Sequence, residues 1–308
     1  MTMKRIISIA FFTLAGVSII VWLVFVTRQA IANREIEREW QSIPTIIPTL
    51  AATSHLEIVP LYEEASSGDE FISGHGVSYL IRTDSATILM DVGNNPDGLT
   101  VAPFMQNMQA LGIAWDEIDR VVITHPHPDH IGGVDAWRRN TVSFGTLPGG
   151  MGDRLLFIPV KMNYSGAIHA TIPTLPALDV ATTGVISYPE VYPLSLFEPK
   201  GSEQALVVNI AGQGLVVITG CGHPTIEKLI SRAEALYELP VVGIVGGLHY
   251  EGFSFEDVKP HIESLMSHDL QLVALSSHDS SIEALEAFQS AFTERYHLLR
   301  VGEAIKFP

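Results

Sequence analysis

A single cysteine, Cys221, stands in the 308 residues. No disulfide can form within the chain, and cysteine count does not settle its compartment. Positive charge is scarce as well. The chain has 18 Lys and Arg against 34 Asp and Glu, a net charge of −16, which argues against a surface built for nucleic acid. Charged residues of both signs reach only 17%, beside 47% hydrophobic residues. That balance excludes a disordered chain and points to one large globular domain or two small ones.

One segment speaks to location. Ile6 to Val26 runs for about 21 residues without a charge, close to the length needed to cross a bilayer as a helix. Lys4 and Arg5 precede it and Arg28 follows. Ala30-Ile31-Ala32 has the small-x-small form of a signal-peptide cleavage site, so a cleaved signal is the rival reading. The apolar run is longer than a signal core, and Arg28 falls where a cleavage region is normally uncharged. These features favour an uncleaved, single-pass anchor. Basic residues flank both sides, and the bias is towards a cytoplasmic N-terminus with an extracytoplasmic domain. Residues 1–5 then form a short lead-in, 6–26 the transmembrane anchor, and 27–54 a charged stalk and Pro-containing linker. The folded domain takes up 55–308.

Within that domain, strands and helices alternate. Leu56–Leu61, Val77–Arg82 and Thr87–Val92 read as strands, and Thr100–Leu111 carries apolar residues at helical spacing. From Thr141 to Glu203 periodicity is poor, and so long an irregular stretch is usually functional or mobile. It is expected to form a rim over the loop described next. Order returns with strands at Ala205–Ile210, Gly214–Thr219, Val241–Val245 and Gln271–Leu275, helices following the last three. Ser254 with Asp257, and Ser280 with Glu283, form capping boxes for the last two helices. Leu298–Val301 and Ala304–Phe307 close the chain as short strands.

The chain is organised around Thr124-His125-Pro126-His127-Pro128-Asp129-His130. Alternating His125 and His127 can aim two imidazoles at one metal. Asp129 and His130, just past the bend, can aim a carboxylate and a third imidazole at a second. Pro126 and Pro128 stiffen the loop before any metal arrives, and the donor set suits zinc. Other strand ends deliver the same kind of side chain: Asp91 at the end of Thr87–Val92, Cys221 and His223 just after Gly214–Thr219, then His249 and His278. In open α/β sheets sites gather at the carboxyl ends of strands, so these groups are expected to converge.

The His125–His130 run resembles the HxHxDH signature of the metallo-β-lactamase superfamily, with Asp91 in place of the acidic residue that precedes it. HGVS (75–78), EQALVV (203–208), TGCGHP (219–224) and GGLHY (246–250) look like one branch of it. That branch holds the stand-alone metal-dependent hydrolases similar to an archaeal dihydropterin phosphate synthase. The resemblance covers roughly residues 55–308 and implies an α/β fold, an αββα sandwich with a dinuclear zinc site at one edge. His125, His127 and His223 would hold the first metal, and Asp129, His130 and His278 the second. Cys221 would ligate or bridge where most of the superfamily has an aspartate. Asp129 would also be catalytic, orienting the attacking water. Asp91 would fix a ligand histidine from behind, and His249 would compete with His278 for the ligand place or contact substrate. The branch usually shows Cys-Ser-His and His-Cys-Thr-Gly where this chain has Cys221-Gly222-His223 and His278-Asp279-Ser280-Ser281.

The expected activity is metal-dependent hydrolysis of a small-molecule ester, lactone, amide or phosphoester. Imidazole and carboxylate also suit iron, so iron or manganese stay open as alternatives to zinc. A di-iron redox protein, or a metal- or ligand-binding module without catalysis, is the second reading. Substrate and oligomeric state are not legible in the residues, since fold does not dictate function.

Overall fold

The computed structural model describes residues 3–42, 44, 46–147, 149–190 and 194–307, with the backbone alone at Lys4 and residues 6–11. Met1 and Thr2 of the expected lead-in, and Ile43 and Thr45 of the linker, lie outside the described residues. The chain divides into two compact units, Met1–Ser42 with Ser187–Gly201 and Ile43–Ile186 with Ser202–Pro308.

In the first unit the apolar run and the charged stretch after it make one helix, α1 (Met3–Gln41). It ends at Gln41, three residues before Pro44, a residue that cannot continue a helix. The helix is long and apolar enough to cross a membrane by length and composition, and its apolar window is unburied. Segment 187–201 is held along the helix by polar contacts. Arg28 donates to the carbonyls of Leu196 and Phe197 at 3.2 and 2.8 Å. Gln29 donates to Ser195 O, and the Glu39 carboxylate accepts from Ser187 Oγ and from Lys200 Nζ at 2.7 Å. Residues 187–201 of the stretch expected to form a rim group with α1 in this unit.

Along the rest of the chain come β1 (Leu56–Tyr62), β2 (Ser78–Thr83), β3 (Thr87–Met90), α2 (Pro103–Ala110), β4 (Arg120–Val122) and α3 (Val134–Arg138). Five short strands follow: β5 (Leu155–Ile158), β6 (Ile168–His169), β7 (Val180–Thr182), β8 (Ile186–Pro189) and β9 (Lys200–Glu203). Then come β10 (Leu206–Ile210), β11 (Gly214–Ile218), α4 (Ile226–Tyr237), β12 (Val241–Gly246) and α5 (Phe255–Leu265). The chain closes with β13 (Leu272–Leu275), α6 (Ile282–Phe292), β14 (Tyr296–Leu298) and β15 (Ile305–Lys306). Strands β5 to β9 correct the expectation of an irregular stretch. Each has only two to four residues, too few for an alternating pattern to show. The last helix is capped by Ser281, whose side chain accepts from Ala284 N, one residue later than the expected Ser280 cap.

Two sheets carry the larger unit, in the orders β15-β1-β2-β3-β4-β5-β6 and β14-β13-β12-β11-β10-β7. Strands β3 to β6 run parallel, as do β11 to β14. Because side chains alternate along a strand, Tyr79, Ile81, Ile88 and Met90 face one way and join Val208, Val216, Ile218, Val245 and Ala274 of the other sheet in a shared core. Leu80, Leu89 and Val121 face the opposite way and pack with Phe104, Met105 and Met108 of α2. Helix α4 buries Leu229, Ile230 and Ala233 and packs on β11 and β12. The layers run helix, sheet, sheet, helix. Strand β12 is buried at all six residues, as expected of a parallel strand covered on both faces.

Candidate metal centre

Parallel pairing puts the carboxyl ends of β3 and β4, and those of β11, β12 and β13, on common edges. Each end carries ligand-type residues: Asp91 after β3, His125 to His130 after β4, Cys221 and His223 after β11, His249 after β12, His278 after β13. Three of the non-glycine residues with positive φ sit here, Asp91 (55°), His249 (51°) and Asp279 (52°). Left-handed backbone costs an L-residue on the order of 1–2 kcal/mol, so the surrounding structure holds these turns for what their side chains do.

Three groups of donor atoms gather, one of them His75, Asp129, His278 and Asp279, and the other two lie deeper. His125, Cys221 and His223 offer ligand atoms all within 4.8 Å of one another, and Asp129, His130, Cys221 and His278 do the same. Cys221 is common to both. His127 falls outside these two groups but packs its ring 4.6 Å from that of His125 and 4.8 Å from that of His223. His249 lies against His223, ring centroids 4.3 Å apart, and is in neither group. His278 is buried, with Nε2 2.8 Å from Asp129 Oδ2.

The donor set fits divalent metal. His125 Nε2 is buried with no hydrogen-bond partner among the described residues, and the ring is bordered by those of His127, His130 and His223. Burial, then the neighbouring His130 and His127, hold His125 well below the ordinary imidazole range. Burial and His127 do the same to His223. Both are thus neutral, as ligation requires. The other group has the opposite balance. Burial disfavours a charge on His130, yet Cys221, Asp129 and Asp91 outweigh it and raise its pKa well above the usual value. His278 is raised likewise against burial, by Cys221 and Asp129. Burial would raise Asp129, but His130 and His278 hold it well below the carboxylate range. Burial pushes the Cys221 thiol up against the pull of the same two histidines.

The surroundings aim these groups. The Asp91 carboxylate accepts from Thr124 N at 2.7 Å, Thr124 Oγ1 at 2.6 Å and His130 Nδ1 at 2.7 Å. A carboxylate only accepts, so the His130 proton resides on Nδ1 and Nε2 faces the cluster, 2.9 Å from Cys221 Sγ. Gly220 makes this approach feasible. A Cβ there would overlap Thr124 Oγ1 and lie 3.1 Å from both Asp91 Oδ2 and His130 Cε1.

Five residues with no role assigned from sequence also take part. Glu203, fully buried, accepts from Thr219 Oγ1 at 2.7 Å, Gly222 N at 3.0 Å and His223 N at 2.9 Å, and so fastens the Cys221–His223 turn. Gln204 Nε2 donates to Ile123 O and its backbone N to Thr124 O, fastening the strand that enters the histidine loop. A charged and an amide residue at the head of an apolar strand were the available signal. His75 is exposed, with Nδ1 3.0 Å from Glu64 Oε1 and Nε2 3.9 Å from Asp129 Oδ2 and 3.8 Å from Asp279 Oδ1. Hydrogen bonds with His278 and His75 draw Glu64 down to about 2. Only tertiary contact reveals this second ring of groups.

The family description "Metallo-beta-lactamase superfamily" matches residues 73–142, the span from His75 through the histidine loop. Over 300 residues the chain is 22% identical to the 7,8-dihydropterin-6-methyl-4-(beta-D-ribofuranosyl)-aminobenzene-5'-phosphate synthase of Methanocaldococcus jannaschii, covering 85% of this chain and 100% of that one. A crystal structure of a metal-dependent hydrolase of the beta-lactamase superfamily superposes with a TM-score of 0.59 at 21% identity, covering 82% of this chain and 99% of the other. The fold is that of the metallo-β-lactamase superfamily. The metallo-β-lactamase fold protein YhfI of Bacillus subtilis is similar at a TM-score of 0.52 and 13% identity, over 82% of this chain and all (100%) of its own. In this metallo-β-lactamase-fold chain the matched segment supplies His125 to His130, while Cys221, His223 and His278 come from beyond it.

Proposed function

We propose that this protein is a membrane-anchored metal-dependent hydrolase with a two-metal centre, zinc being the metal its donors suit best. The observation that carries the reading is Cys221, whose sulfur belongs to two donor groups at once. His125, His127 and His223 would hold one ion; Asp129, His130 and His278 the other; Cys221 would lie between them. Bound there, the pair supplies Lewis acidity and lowers the pKa of water. Asp129 accepts a hydrogen bond from the attacking water and orients it, and Asp91 keeps His130 in the ligating tautomer. His249 and His75 flank the cluster as contacts for substrate. Small-molecule esters, lactones, amides and phosphoesters all present the carbonyl or phosphoryl centre this chemistry needs. The names of similar proteins include both a hydrolase and a synthase, so the substrate class is to be found by screening.

The test is elemental analysis of the full-length chain in detergent, beside His127→Ala. About two zinc per chain, falling by at least one in the variant, together with turnover of one of these substrate classes, is the expected result. Two iron would instead favour a redox protein, which the histidine and carboxylate donors also suit. A folded chain that binds little metal would leave a binding module.

A further inference from the structure

We propose that the tip of segment 187–201, Leu194 to Phe197, forms a second membrane contact, seated in the interfacial layer of the bilayer that α1 crosses. The proposal rests on the reading of α1 as an anchor. It stands on where the tip is held. Arg28 is the first charged residue after the apolar run, and its guanidinium donates to the carbonyls of both Leu196 and Phe197. Gln29 beside it holds Ser195 O. At the far end Glu39 takes Ser187 and Lys200. Those anchor points lie 11 residues apart, about 16 Å along a helix. The segment therefore reaches along α1 to the level at which its apolar surface begins.

At that level the tip presents apolar rather than polar side chains. Leu196 is 43% exposed and Phe197 75% exposed. Val21, Trp22 and Val26, in the run that ends just before Arg28, are exposed as well, and Phe197 lines a shallow groove with Arg28, Ile31 and Ala32. An aromatic ring just outside an apolar span suits the interfacial layer, where its face meets acyl chains while the backbone stays near water. Arg28 completes the arrangement, its guanidinium donating to two carbonyls of the tip. Lipid is the occupant, because the tip is tied to Arg28, the residue at which the apolar run gives way to charge.

The full-length chain labelled at one introduced cysteine tests this, Cys221 being buried. Val21→Cys, Phe197→Cys and Ser290→Cys would each carry an NBD fluorophore in phosphatidylcholine vesicles with and without phosphatidylcholine spin-labelled high on its acyl chain. Phe197 is exposed, so its replacement leaves folding intact. The expected result is quenching at Val21 and Phe197 several-fold stronger than at Ser290. Quenching at Val21 with Phe197 at the Ser290 level would overturn the contact and leave the anchor standing. An unquenched Val21 would refute the anchor, and the contact with it. A Phe197 signal that changes with protein-to-lipid ratio but not with spin label would assign the tip to a second copy of the chain, which also overturns the proposal.

Discussion

Asp91→Asn changes one atom of a buried carboxylate that serves three donors. Oδ1 accepts from Thr124 N, while Oδ2 accepts from Thr124 Oγ1 and His130 Nδ1. Asparagine adopts positive φ readily, so the backbone at 55° is not the perturbation. If the amide oxygen stays on Thr124 N, the new NH2 faces His130 Nδ1, which must then accept. The imidazole proton moves to Nε2, the nitrogen that faces Cys221, and His130 cannot ligate without giving it up. If the amide flips, its NH2 opposes the Thr124 N–H and a buried backbone donor is stranded. Partners that orient a ligating histidine are worth 10–100-fold in metal affinity, about 1.4–2.7 kcal/mol. The loss should fall on the ion held with Asp129 and His278 and spare the one held with His125 and His223. Competition against a chromophoric zinc chelator reads the two steps separately. Two binding steps within about twofold of wild type would refute the tautomer argument.

Glu203→Gln keeps one good acceptor but sets an NH2 against the His223 N–H, and should cost about 1–3 kcal/mol in urea unfolding; a change under about 0.5 kcal/mol would contradict the fastening role. Gly220→Ala puts a methyl group against Thr124 Oγ1 and Asp91, and should lower zinc stoichiometry in elemental analysis while circular dichroism shows the chain folded. Glu63 is fully buried, and burial raises its carboxyl to about 7 against hydrogen bonds from Ser276 and Tyr79. A raised carboxyl favours the folded state most below the unfolded value, about 4.5, and that advantage is lost as pH rises through 7. Glu63→Gln should therefore match wild type near pH 5 and exceed it by up to about 3 kcal/mol near pH 8. Unfolding curves at both pH values check this, and parallel curves would show that Glu63 ionises freely in the folded chain.

Local sequence was enough for a great deal. The apolar run and charged stalk declare α1 because length and lack of charge are properties of contiguous residues. The histidine loop stands out as a candidate metal site because His125, His127, Asp129 and His130 are neighbours in the chain, and the alternation of strands with helices points to an α/β fold by periodicity. That the strand ends converge was expected from their positions and from the family resemblance; what only tertiary structure decided was the geometry in which they meet. Cys221, His223 and His278 lie far along the chain from the histidine loop, and no periodic signal ties them to it. Placing His278 beside Asp129 and His249 beside His223 depended on the order of three parallel strands. Glu203 and Gln204 looked like the head of an ordinary strand until their partners in two different loops were in view. Strands as short as β6 and β7 take their conformation from the neighbours they pair with, and the path of 187–201 along α1 from the charges at Arg28 and Glu39. Residues close in sequence reveal themselves by pattern. Residues brought together by packing do so only once the chain has folded.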